Sequence, residues 1–187
     1  MTTGRNRRSI GVVLSSVPDL LSFSRILLGF ILVFSVGEHP FAPMLIVMVA
    51  MATDFVDGKI ARALGVASRR GLYLDVASDG FFLLAGLGMA SWHGWTSPLL
   101  PIAISIALMD LMLQWRRQQP GKAPVRGFAD RAGHLAGTLN FFALLFATAV
   151  PAGWLSPTWS QGIAVSVALL NLSPVLLRRL LPVSPQP

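Results

Sequence analysis

The chain has 187 residues, 53% hydrophobic and only 12% charged, with 15 Lys and Arg against 8 Asp and Glu, and so a net charge of +7. That is about half the charge of an ordinary soluble domain, and the length suits either one such domain or about five or six membrane-spanning helices. The lack of cysteine removes disulfides, Cys-based zinc sites and thiol nucleophiles, and basic residues gathered mostly in loops and ends, rather than spread over one face of a soluble module, argue against a nucleic-acid partner.

Six apolar segments follow one another along the chain, approximately Val17–Val36, Phe41–Leu64, Gly71–Ser91, Pro98–Trp115, Ala132–Val150 and Ser160–Leu177. Residues 1–16 form a polar leader to the first, and no small-residue cleavage site follows it, so it reads as a retained span rather than a secretory signal. The connections alternate in character. Residues 37–40, 92–97 and 151–159 contain no Lys or Arg, whereas Arg5, Arg7 and Arg8, Arg69 and Arg70, Arg116, Arg117, Lys122, Arg126 and Arg131, and Arg178 and Arg179 all fall on the other side. By the positive-inside rule that side is the cytoplasm. The expected fold is therefore an all-α integral membrane protein: a six-helix membrane domain over 17–180, both termini cytoplasmic, and a flexible Pro-rich tail at 181–187. Trp92, Trp95, Trp154 and Trp159 suit the outer interface belt. Gly29, Gly86, Gly88, Gly133 and Gly137 are read as sites of close helix packing.

Half of the chain's acids lie in one stretch, "DFVDGKIARALGVASRRGLYLDVASDG", from Asp54 to Gly80. At about 100° per residue, Asp54, Asp57, Gly58 and Ala61 share one face of the second span, with Arg62 at its margin, and Gly71, Asp75 and Asp79 share one face of the third. A short cytoplasmic connection makes the two helices antiparallel neighbours, so these faces can meet. Four carboxylates gathered in a medium of low dielectric repel one another strongly and require cations. With no cysteine in the chain and no histidine among these positions, the donor set is all oxygen, which suits magnesium, manganese or calcium. The small residues leave space for a ligand against the backbone, and Arg62, Arg69 and Arg70 can grip phosphate oxygens in bidentate fashion.

The order Asp54, Asp57, Gly58, Ala61, Arg62, Gly71, Asp75, Asp79 resembles, at every fixed position, the signature of the CDP-alcohol phosphotransferase family. At about 5 to 8% usage per residue type, eight fixed positions arise by chance at a given start roughly once in 10⁹ to 10¹⁰ trials. The resemblance implies transfer of a phosphatidyl group from a CDP-linked lipid, expected to be CDP-diacylglycerol, to an alcohol with release of CMP. It implies Asp54, Asp57 and Asp75 as metal ligands for Mg²⁺, two ions, with Mn²⁺ as the alternative. Asp79 is implied as the base that deprotonates the attacking hydroxyl while also facing the second ion. Gly58, Ala61, Arg62 and Gly71, with Ser68 in the spacer, are implied as CDP-binding positions. A homodimer in a bacterial-type inner membrane, with the site on the cytoplasmic side, is also implied.

Upstream, "VPDLLSFSR" is similar to a Pro-Asn, Thr, Arg pattern of lipid-synthesising relatives, with Asp19 in place of Asn, Ser22 in place of Thr, and Arg25 retained. Ser22 and Arg25 are thus further CDP-binding positions; the alternative is a helix cap at Asp19 with Arg25 paired to an acid. Arg69, Arg70, Arg116, Lys122 and Arg126 are acceptor-binding positions on this reading, or a topology signal in contact with anionic lipid. Glycerol 3-phosphate is the expected acceptor, although Gly80 stands where relatives using it carry Lys, which leaves serine, inositol phosphate or another alcohol open. An ion or proton carrier is the alternative from another class; it calls for acids spread through the bilayer depth, and these gather at one edge.

Overall fold

The computed structural model describes residues 23–37, 39–64, 69–117 and 128–180, the side chains of 55–64, 69–72, 117, 128–134 and 178 excepted. Among the described residues there are six helices: α1 (Phe23–Phe34), α2 (Ala42–Leu64), α3 (Arg69–Trp92), α4 (Leu99–Arg117), α5 (Phe128–Ala149) and α6 (Pro157–Leu180). Segments within α3 (Tyr73–Trp92), α4 (Leu99–Arg116) and α6 (Pro157–Leu177) are long and apolar enough to cross a membrane. The described apolar parts of α1, α2 and α5, Phe23–Phe34, Ala42–Asp54 and Leu135–Ala149, are shorter. Large apolar side chains such as Phe34, Met109, Leu135 and Leu169 lie on the exterior, as a lipid-facing surface requires.

The helix ends follow from local chemistry. Ser97 Oγ accepts a hydrogen bond from the Leu99 N–H at 3.4 Å and so caps α4, while α6 opens on Pro157, whose missing N–H costs nothing in a first turn. Two helices stop in the same way, at a Gly-Trp pair. At the end of α3 the Trp95 N–H reaches Ala90 O at 2.9 Å and the Gly94 N–H reaches Ser91 O at 3.0 Å; at the end of α5 Trp154 reaches Ala149 O at 3.2 Å and Gly153 reaches Val150 O at 3.0 Å. These are paired Schellman closures, and they require the left-handed backbone seen at Gly94 (φ 72°) and Gly153 (φ 76°). Within α6, Pro174 cannot donate to Leu170 O, and the neighbouring Ser173 hydroxyl donates to it instead at 2.9 Å.

The chain divides into two compact units, Met1–Ala85 and Gly86–Pro187, with α3 running across the boundary. In the first unit Leu32, Val47 and Phe82 are fully buried. Gly29 brings α1 close to α3: a Cβ there would stand 3.1 Å from Phe81 Cε1 and 3.6 Å from Phe82 Cα. Phe30 and Phe81 pack beside this contact with ring centroids 5.3 Å apart. In the second unit α6 packs on both α4 and α5. Its α5–α6 contact holds a buried amide pair in which Asn171 donates to Asn140 Oδ1 at 2.7 Å and Asn140 donates back to Asn171 Oδ1 at 3.2 Å.

Of the glycines read as packing sites, Gly29 is one in fact and Gly86 is buried, whereas a Cβ at Gly88 or Gly137 meets nothing within 4 Å. Gly88 is exposed on α3, and among the described residues its small size makes no close contact. Gly133 lies outside the described side chains. The helix α5 begins four residues before the predicted span because Phe128–Arg131 is helical without being apolar enough to read as membrane.

Candidate active site

Three of the four signature carboxylates converge in the first unit. Asp54 comes from α2, and Asp75 and Asp79, one helical turn apart, come from the same face of α3. At their centre is the guanidinium of Arg25, from the first turns of the described α1. Its Nη2 donates to Asp54 Oδ1, and its Nη1 donates both to Asp75 Oδ1 at 2.9 Å and to Asp79 Oδ1. Each carboxylate thus gives Arg25 one oxygen, and its Oδ2 takes no part in these bonds.

Exposure separates the two kinds of charge. The Arg25 side chain is 3% exposed, while those of Asp54, Asp75 and Asp79 are 46%, 51% and 25% exposed, so the cation lies beneath and the acids open outward. Arg25 Nε is buried and has no hydrogen-bond partner among the described residues. Three carboxylates against one guanidinium leave this group two negative charges in excess, before Asp57 is counted. Of the four side chains only Arg25 is buried, and removal of a carboxylate that faces it leaves that cation less compensated. Ser78, buried between the two α3 acids, donates its hydroxyl to Asp75 O at 2.9 Å and so keeps the inner face of that turn satisfied.

Among the described residues the oxygens that face the Arg25 guanidinium are all carboxylate, a donor set that fits a hard divalent cation. A guanidinium is broader than a metal ion, and among the described residues no three acidic or histidine side chains close around a metal-sized point. The residues that would hold divalent ions are Asp54, Asp75 and Asp79; the side chain of Asp57, three residues on in α2, lies outside the described residues.

The other positions read from the sequence are distributed as follows. The backbones of Asp57, Gly58, Ala61 and Arg62 continue α2, and those of Arg69, Arg70 and Gly71 open α3, but their side chains lie outside the described residues. Ser22, Ser68, Lys122 and Arg126 fall wholly outside them. Arg116 is exposed near the end of α4. Asp110, on the same helix, accepts a hydrogen bond from Gln114 at 2.6 Å. His93 stacks on Trp95 with centroids 5.0 Å apart. Sequence reasoning allowed Arg25 an acidic partner but did not foresee three at once; it missed the Asn140–Asn171 pair altogether. An amide in an otherwise apolar span was the available signal for the latter.

Known proteins resemble this chain over most of its length. The family model described as CDP-alcohol phosphatidyltransferase matches residues 15–176. A CDP-diacylglycerol–glycerol-3-phosphate 3-phosphatidyltransferase of Shigella flexneri serotype 5b is 28% identical over 170 residues, covering 86% of this chain and 88% of the relative. The protein of that name from Escherichia coli K12 is 33% identical over 109 residues, covering 54% of this chain and 59% of the relative.

Proposed function

The chain belongs to the CDP-alcohol phosphatidyltransferase family and is an enzyme that transfers a phosphatidyl group to an alcohol; from that premise we propose glycerol 3-phosphate as the alcohol, CDP-diacylglycerol as the donor and CMP as the second product. The observation that carries this reading is the convergence of Asp54, Asp75 and Asp79 from two helices on one cationic point. The names of the relatives support the acceptor. Gly80, where a lysine is expected in users of glycerol 3-phosphate, keeps serine and inositol phosphate as competitors to be tested.

Phosphoryl transfer asks an enzyme mainly for positioning and for stabilisation of charge. Two Mg²⁺ ions held by Asp54, Asp57, Asp75 and Asp79 would offset the pyrophosphate charge and stabilise CMP as it departs. Asp79 takes the proton of the acceptor hydroxyl. The hydroxyl oxygen then bonds to the phosphorus that carries the diacylglycerol, and the bond from that phosphorus to CMP breaks. Asp79 suits the task because it is the least exposed of the three acids and lies one turn beyond Asp75. Gly58, Ala61 and Gly71 give the nucleotide room against the backbone, and Arg62, Ser68, Ser22 and Arg25 offer donors to its phosphates. Arg69 and Arg70 supply positive charge for the acceptor's own phosphate.

The protein is integral to the membrane, with long apolar helices and a lipid-suited exterior. We place all six helices across the bilayer as one domain over 17–180, the termini and the carboxylate cluster on the cytoplasmic side, and the protein in a homodimer. The Lys and Arg distribution supports the orientation. The deciding experiment offers purified protein CDP-diacylglycerol and Mg²⁺ with glycerol 3-phosphate, serine, inositol and inositol phosphate in turn. The fastest CMP release is expected with glycerol 3-phosphate. Faster release with another alcohol would reassign the acceptor, and no release with any of them would contradict the enzymatic reading.

A further inference from the structure

Arg25 stands at the centre of the carboxylate cluster, and its place there has a consequence for the metal. Its two terminal nitrogens are shared among Asp54, Asp75 and Asp79, so it already supplies part of the positive charge that divalent ions would supply. The three acids are spread around this broad group, and none of the described acids closes on a metal-sized point. Gly29, one turn along α1, holds the helix within contact of Phe81 and Phe82 on α3, so the guanidinium is delivered by close backbone packing rather than by a flexible loop.

We infer that Arg25 is a built-in counter-cation that competes with the divalent ions for Asp54, Asp75 and Asp79, keeping the cluster assembled when ions are scarce and setting the concentration at which they enter. The inference rests on the metal reading given above. Two cationic species held by the same three carboxylates repel one another, so each weakens the other. When ions displace it, the guanidinium, whose Nε has no hydrogen-bond partner among the described residues, becomes a donor fork for the phosphates of the nucleotide. Arg25 is thus a positioning residue that links loading with metal to loading with donor.

Mn²⁺ binding to detergent-purified protein, counted by the loss of the free-ion electron paramagnetic resonance signal after treatment with chelator, tests this. Arg25→Met, which removes the charge and keeps most of the bulk, is expected to bind Mn²⁺ about tenfold tighter than the wild type or more. It should also unfold at lower temperature in chelator and recover more than the wild type when Mg²⁺ is restored. Arg25→Lys keeps the charge and should bind within about threefold of the wild type. An Arg25→Met protein that binds Mn²⁺ no more tightly than the wild type would overturn the inference, and a Lys variant that binds about tenfold tighter would do the same. If Arg25→Met can be isolated only in Mg²⁺, the inference is supported. A wild type that binds no Mn²⁺ would instead refute the metal reading on which the inference stands.

Discussion

Replacing Gly29 tests whether helix packing sets the geometry of the site. An added Cβ would lie 3.1 Å from Phe81 Cε1, 3.4 Å from Cδ1 and 3.6 Å from Phe82 Cα. The Phe81 ring is part-exposed and can give by the few tenths of an ångström that alanine needs. The better helix propensity of alanine, about 1 kcal/mol, offsets that cost, so Gly29→Ala should be close to neutral. Leucine adds three more carbons against a backbone that cannot give. Overpacking of this kind costs about 1–3 kcal/mol, or about 2–4 °C in Tm per kcal/mol for a chain of this size. It also pushes α1 away from α3 and draws Arg25, one turn away, off the three carboxylates. A displacement of about 1 Å in such a constellation is worth about a hundredfold in rate. Thermal unfolding in detergent and CMP release, both measured on wild type, Gly29→Ala and Gly29→Leu, read the two effects together. Equal Tm and equal turnover in the alanine and leucine variants would refute the claim that the α1–α3 contact positions the site.

The buried amide pair should behave as a unit. Asn171→Leu alone strands the Asn140 amide and is expected to cost about 1–2 kcal/mol, whereas the double variant Asn140→Leu/Asn171→Leu should recover most of it in a double-mutant cycle; strict additivity would contradict the pairing. The Gly153→Ala change places a side chain at φ 76° and should cost about 1 kcal/mol, read as a lower Tm with CMP release unchanged. Asp57→Asn and Asp79→Asn should both abolish turnover, but only Asp57→Asn should strongly weaken metal-dependent CDP binding. Equal losses of binding in calorimetric titrations would remove the division between ligand and base.

The alternation of apolar runs and basic loops made the helices legible, because a long apolar run bounded by charged or turn-forming residues has the length and composition of a helix. The predicted Phe41–Leu64 became Ala42–Leu64, and Gly71–Ser91 became Arg69–Trp92. Hydropathy reports lipid rather than helix, which is why α5 starts earlier than its apolar segment. The alignment of Asp75 with Asp79 was legible because helical periodicity relates residues four apart. What periodicity cannot relate is Arg25 to acids 29, 50 and 54 residues away, or Asn140 to a partner 31 residues on. Those contacts are set by which faces of separate helices pack together. Gly88 shows the same limit from the other side: a small residue in an apolar span marks a close contact only if a neighbour lies against it.

If the signature carboxylates act through divalent metal on a CDP-linked lipid, as proposed above, release of CMP must follow the metal. The most direct test is CMP released from CDP-diacylglycerol by purified protein stripped of divalent ions, then supplied with Mg²⁺ and glycerol 3-phosphate. The account predicts no CMP from the stripped protein, and release on addition of Mg²⁺ in step with the lipid product. CMP release at the same rate in chelator, or none after Mg²⁺ is restored with any of the acceptors, would contradict it.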